Sequence, residues 1–133
     1  VALTRRGEEE LSDEQRVFRT NRFGADLAIS LRYGTAPVET GECEILHYPG
    51  SAAGEPAADT LAAVLAGTPP CAGANASESV DLFLLQTNCP ALILSGGSLA
   101  DPDTETLFDS PRWTRMKAER IVESLIRVFG EME

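Results

Sequence analysis

Histidine is nearly missing from this chain: a single residue, His47, among 133. That excludes a metal centre built from several imidazoles of its own. Cysteine is sparse too, with Cys43, Cys71 and Cys89 and no C-x-x-C pair. An odd count leaves at least one thiol unpaired within the chain. Spacing does not fix which two would join; a Cys71–Cys89 bridge is one arrangement, and three half-buried thiols is the plainer expectation. Cations are few, 11 Lys and Arg against 21 Asp and Glu, for a net charge of −10. Binding to nucleic acid or anionic lipid needs clustered cations, so neither is an expected partner. No apolar run approaches the ~20 residues that span a bilayer. No secretory leader is visible and the first residue is Val1, so a processed or truncated piece is expected.

What is present is ordinary globular composition, 43% hydrophobic and 24% charged. The length predicts one domain over residues 1–133. Residues 1–4 read as a strand end and residues 5–11 as a charged loop, whose Glu8, Glu9 and Glu10 are a solvated run. Ser12, Asp13, Glu14 and Gln15 form a capping box. The helix it opens should run to about Arg22, with Val17 and Phe18 inward and Gly24 as its stop. Residues 26–31 are almost wholly apolar and predict a buried parallel strand. Residues 42–48 read as a second strand. A helix over 57–66 follows, with Pro56 in its first turn. Residues 71–77 read as a loop, 80–85 as a strand, and 91–94 as a buried strand after which Ser95 to Ser98 leave the sheet. A short helical turn to Phe108 precedes a last helix opened by Pro111. Its Ala118, Ile121, Val122, Leu125 and Phe129 recur as one apolar stripe, and Gly130 should end it.

Strands alternating with helices predict an α/β fold: three αβα layers on a mostly parallel sheet. Ligands of such sheets sit beyond the carboxyl ends of the strands. Two such ends stand out, Leu31-Arg32-Tyr33 and Leu94-Ser95-Gly96-Gly97.

The order of motifs resembles the zinc-dependent N-acetylmuramoyl-L-alanine amidases, which hydrolyse the amide between muramic acid and the stem peptide of peptidoglycan. Leu3, Thr4 and Arg5 resemble the family's "LTR". Arg16, Asn21 and Ala25-Asp26-Leu27-Ala28-Ile29-Ser30-Leu31 resemble "R…AN…ADLFISIH". Pro90-Ala91-Leu92-Ile93-Leu94 resembles "PAVLVE", and Gly97 with Asp101-Pro102 resembles "GFLSNP". Glu105, Leu107 and the last helix resemble the closing "E…L" and C-terminal helix. The resemblance implies an amidase-like fold and a cell-envelope setting, periplasmic or extracellular.

The departures shape the expected function. The family holds zinc through His, Glu and a second His, of which the first two lie on a strand–helix segment upstream of "LTR". The chain is expected to lack that segment. The second His falls at Arg32, whose protonated guanidinium has no lone pair for a metal. The catalytic Glu falls at Ser95, and a hydroxyl cannot activate metal-bound water as a carboxylate does. No catalytic residue, metal ligand or cofactor is therefore expected in this chain. Cys43 and His47 share a strand face but sit roughly 13 Å apart, too far for one ion, and His47 is expected at the surface or half-buried. Ser95 lacks the G-x-S-x-G elbow of a nucleophile. Asn75-Ala76-Ser77 matches a common glycosylation triplet, and Trp113 should pack the last helix on the sheet, with sugar stacking as the alternative.

The expected function is a degenerate amidase-like domain that binds without cutting. Arg32, Ser95, Gly96 and Gly97 would hold a peptidoglycan fragment such as a muropeptide, with the amides near Gly96 as an anion-binding concavity, or would hold a protein partner. The alternatives are an active zinc amidase completed by an absent segment, and an interaction scaffold using an open sheet edge.

Overall fold

The computed structural model describes residues 1–34, 42–98 and 100–132. Ser12 opens α1 (Asp13–Phe23) through the expected capping box: its Oγ accepts from the Gln15 amide, and the Gln15 side chain accepts from the Ser12 amide. Gly24 closes the helix with φ +74°, a left-handed turn that a side chain would resist. β1 (Ala28–Gly34) follows, then β2 (Glu42–His47), α2 (Gly54–Leu65), β3 (Gly73–Glu78), α3 (Leu82–Gln86), β4 (Ala91–Ser98), α4 (Pro102–Phe108) and α5 (Pro111–Met132).

The sheet order is β1-β4-β2-β3. β1 runs parallel to β4 and β2 parallel to β3, while β2 and β4 are antiparallel. Side-chain alternation divides the core between the two faces. On one, Ile45, Leu92 and Leu94 pack against Ala58, Leu61 and Leu65 of α2 and Val128 of α5. On the other, Ala28, Ala91 and Ile93 pack against Val17 of α1 and Phe83 and Leu84 of α3. This is the expected three-layer α/β arrangement, with a mostly parallel sheet.

Several local expectations give way. Residues 80–85 are not a strand: Asp81 accepts from the Phe83 amide at 3.0 Å and starts the one-turn α3, so the adjacent Phe83 and Leu84 both face inward. Residues 71–77 are not a loop, because Gly73 to Glu78 pair with β2 throughout. Residues 1–4 lie in no strand. β4 continues through Ser98, so residues 95–98 stay in the sheet, and α5 passes through Gly130. The expectation of three half-buried thiols, and the Cys71–Cys89 arrangement beside it, are both corrected. Cys43 is joined to Cys71, their Cα atoms 5.3 Å apart, and Cys89 is free.

Two helix faces are rotated from expectation. Phe18 is 63% exposed, and Thr20 joins Val17 on the inner side of α1. On α5 the inward line is Trp113, Lys117, Ser124 and Val128; of the expected stripe Ile121 packs against the core and Leu125 is half-buried, while Val122 and Phe129, with Ile126, face outward. The sheet edge and α2 select that line over the stripe of greatest hydrophobicity. No helix among the described residues is long and apolar enough to cross a membrane.

Candidate functional site

The two residues singled out at the strand ends lie side by side. Arg32 of β1 is in register with Ser95 of β4, and Ser95 is in register with Glu44 of β2, itself opposite Asn75 of β3. Partners in a ladder share a face, so these four form a row across the sheet on the side of α1 and α3. At roughly 4.8 Å per strand, Arg32 and Glu44 flank Ser95 with backbones about 10 Å apart.

Arg32 is held rather than free. Its Nη1 and Nη2 donate to the two Asp81 carboxylate oxygens at 2.8 and 3.1 Å, and its Nε donates to Ser30 Oγ at 2.9 Å. The Arg32 hydrogen bond is the main reason the Asp81 carboxyl lies below the usual carboxylate range. Asp81 also caps α3, so one carboxylate fixes both the helix start and the guanidinium. A guanidinium has five N–H groups. Three are used here, the side chain is 31% exposed, and two donors remain for a ligand. No local pattern marks this partner, which lies 49 residues away. Its one visible mark is an Asp directly before an apolar run, the pattern of a helix cap. Glu44 was also missed; only the strand register brings it beside Ser95.

The glycines behave differently from expectation. Ser95 and Gly96 lie in a strand with neighbours on both sides, not in an open turn. The chain departs from extended geometry only at Gly97, with φ +107°, where the β1–β4 register also shifts. Gly96 faces the opposite side from Ser95. A Cβ there would stand 2.8 Å from Tyr33 Cε1 and 2.9 Å from Lys117 Nζ. The concavity of amides expected around Gly96 is therefore replaced by close packing.

The donors near Arg32 and Ser95 do not fit a zinc ion. Arg32 is a paired cation with no lone pair to give a metal. His47 is buried on the opposite face, against the start of α2, with Nδ1 3.1 Å from the Tyr48 carbonyl; the expected surface or half-buried position is corrected. Cys43, on that same face, is consumed in the disulfide. Among the described residues no three His, Cys, Asp or Glu cluster as a metal site would require. The same separation leaves Ser95 without an imidazole base. Trp113 is buried, with Nε1 donating to the Pro69 carbonyl at 2.6 Å, which accounts for it as packing and removes its face from sugar stacking.

No family model matches the chain, and no curated protein matches it by sequence. Solved structures do. The N-acetylmuramoyl-L-alanine amidase AmiC2 of Nostoc punctiforme superposes with a TM-score of 0.83 over 97% of this chain and 72% of its own, at 14% identity. The catalytic domain of the amidase CwlV from Bacillus (Paenibacillus) polymyxa var. colistinus gives 0.82 over 97% and 72%, at 17% identity. The chain has the fold of the N-acetylmuramoyl-L-alanine amidases. The amidase Ami1 from Mycobacterium smegmatis agrees, at 0.78 over 98% of this chain and 67% of its own, with 20% identity. The amidase fold thus persists at identities where sequence alone carries little signal.

Proposed function

We propose that this chain is an amidase-like domain of the cell envelope that binds peptidoglycan fragments without zinc catalysis. One observation carries the reading: the paired cation Arg32 stands in register with Ser95, at the two positions where the resemblance puts a zinc-binding His and the catalytic Glu. A guanidinium fixed by a carboxylate and with two N–H groups to spare suits a carboxylate of a stem peptide. Glu44, on the far side of Ser95, offers a counter-charge to an ammonium group of the same ligand. The cell-envelope setting rests on the amidase fold.

The test is titration calorimetry with a disaccharide-tetrapeptide muropeptide. Binding by the wild-type domain should weaken at least tenfold in Arg32→Ala, and Arg32→Lys should recover only part of it, since an ammonium lacks the planar fork. No binding by folded wild-type protein overturns the proposal. Near-stoichiometric zinc after dialysis against trace metal, with amide hydrolysis abolished by a chelator, replaces it with the enzyme reading.

A second reading, an interaction scaffold, is favoured by two features. Among the described residues β1 is an edge strand and exposes Leu31, and the outer side of α5 exposes Val122 and Ile126, the latter 69% accessible. Such edges invite pairing. Ultracentrifugation showing a strict monomer counts against a second copy there.

A further inference from the structure

The sheet face that carries Arg32 and Ser95 is covered over only part of its length. On β4 the side chains of this face pass from Ile93, 1% exposed, to half-buried Ser95. On β2 they pass from half-buried Leu46 to exposed Glu44, and on β3 from half-buried Ser77 to exposed Asn75. Residues of α1 and α3 pack over Ile93 and Leu46. Among the described residues, the row from Arg32 to Asn75 lies beyond that cover as an open shelf.

Glu44 is the odd residue on this shelf. Glutamate is depleted in strands. Charges on strands commonly guard an edge against pairing, but β2 lies between β4 and β3. Its cross-strand neighbours, Ser95 and Asn75, bring it no opposite charge. Among the described residues Glu44 has no ion-pair partner. Its surroundings in the sequence supply none either: from Tyr33 to Pro111 the chain holds no lysine or arginine. Arg32, the cation of the same row, is engaged by Asp81 through both Nη atoms. The carboxylate is left for a bound molecule.

We propose that Glu44 makes this shelf selective for peptides with a free side-chain amine, and that acylating the amine releases them. The inference rests on the proposed binding of peptidoglycan fragments and names which of them are held. Arg32 takes a carboxylate through its two spare N–H groups, and Glu44 takes the ammonium. Their backbones stand about 10 Å apart across Ser95. In a diamino residue followed by one terminal residue, the side-chain nitrogen and the terminal carboxylate diverge from a single Cα. Extended, they span roughly 10 Å. The ligand therefore lies along the row and over Ser95, with its carboxyl end at β1 and its amine at β2. Cross-linking of stem peptides turns such an amine into an amide. An amide nitrogen carries no charge, and covering Glu44 with it strips water from a carboxylate without returning a cation. What is lost is a charge-assisted hydrogen bond. The shelf then distinguishes an uncross-linked stem from a cross-linked one.

The experiment is titration calorimetry of the wild-type domain with a disaccharide-tetrapeptide whose third residue is lysine. Three forms are compared: the free amine, the ε-acetylated amine and the ε-dimethylated amine. Acetylation removes the charge, whereas two methyl groups keep it at similar bulk. The acetylated form should bind roughly fivefold more weakly than the free form, or worse. The dimethylated form should stay within about twofold of the free one. In Glu44→Gln, a change at an exposed position, the free and acetylated forms should bind alike. Equal binding of these two forms by the wild type overturns the selectivity and leaves the proposed function standing. Loss of the dimethylated form together with the acetylated one overturns the charge argument in favour of crowding. A preference that survives in Glu44→Gln overturns the role of Glu44. No binding of any form overturns both this inference and the proposed function.

Discussion

Replacing Lys117, which is 9% exposed, hydrogen-bonded to the Tyr33 hydroxyl and set over the rings of Tyr33 and Trp113, by Met tests the burial of its amine directly. The chain length is kept and the charge is removed. The native amine lies near 8 against an unfolded value of 10.5. Below about pH 8 both states carry the proton, and the native state bears the full cost of a buried cation. As pH rises through 8 towards 10.5 the native form releases its proton while the unfolded form keeps it. The unfolded state then binds more protons, so stability rises with pH across that window. A gap of that size corresponds to about 2.5 kcal/mol between pH 7 and pH 10. The ring faces return part of it to the cation, so about 2 kcal/mol is expected. Lys117→Met lacks this rise. At pH 7 it should be more stable than wild type by ~1 kcal/mol, after allowing for the lost Tyr33 hydrogen bond. The assay is urea denaturation at pH 7, 8, 9 and 10, taken as wild type minus variant, so that Cys89 and the carboxylates, common to both, cancel. A difference constant to within about 0.5 kcal/mol over the series would refute the argument.

Four other outcomes follow from the same structure. Asp81→Ala removes the α3 cap and leaves the half-buried Arg32 without its carboxylate partner, and should cost about 1–2 kcal/mol by thermal or urea unfolding. Arg115→Ala, at the highly exposed Arg115–Glu119 pair, should stay within about 0.5 kcal/mol in the same assay. Gly96→Ala forces a methyl against Tyr33 and Lys117 and should cost about 1–3 kcal/mol, read as a lowered Tm. Reducing Cys43–Cys71, which are 28 residues apart, should cost roughly 3.5 kcal/mol from chain entropy, checked by urea unfolding with and without dithiothreitol.

The sequence was most legible where a local pattern has one reading. Ser12 with Gln15, and Gly24 after them, mark α1 because their caps need those side chains and that backbone. The apolar segments around Ile29 and Ile93 mark β1 and β4 as strands, though only β4 is central and β1 is a half-buried edge. Residues 80–85 misled because a short apolar run has no period to separate strand from helix, and the decision fell to the Asp81 cap. β3 was invisible because Gly-Ala-Asn-Ala-Ser-Glu holds no strong strand former; the ladder with β2 makes it a strand, and its small residues fit under α2. Val122 and Phe129 of the expected α5 stripe lie outward because hydrophobicity does not reveal that Lys117 and Ser124 would be enclosed. At the candidate site, Arg32 and Ser95 stand out as strand ends and through the resemblance, whereas Asp81 and Glu44 depend on contacts distant in the chain.

The Cys43–Cys71 bond also decides how the molecule answers a pull. The loop it closes contains the whole of α2. Tension applied at the two ends passes through the sulfur atoms and bypasses that helix. At 3.3–3.6 Å per residue, about 95 Å of contour stays hidden from the load. A domain extended in an oxidising surrounding therefore reaches its limit early and keeps one folded arm of its core as a stub on which the remaining chain can re-form. Under reducing conditions the same load would draw the chain out in full.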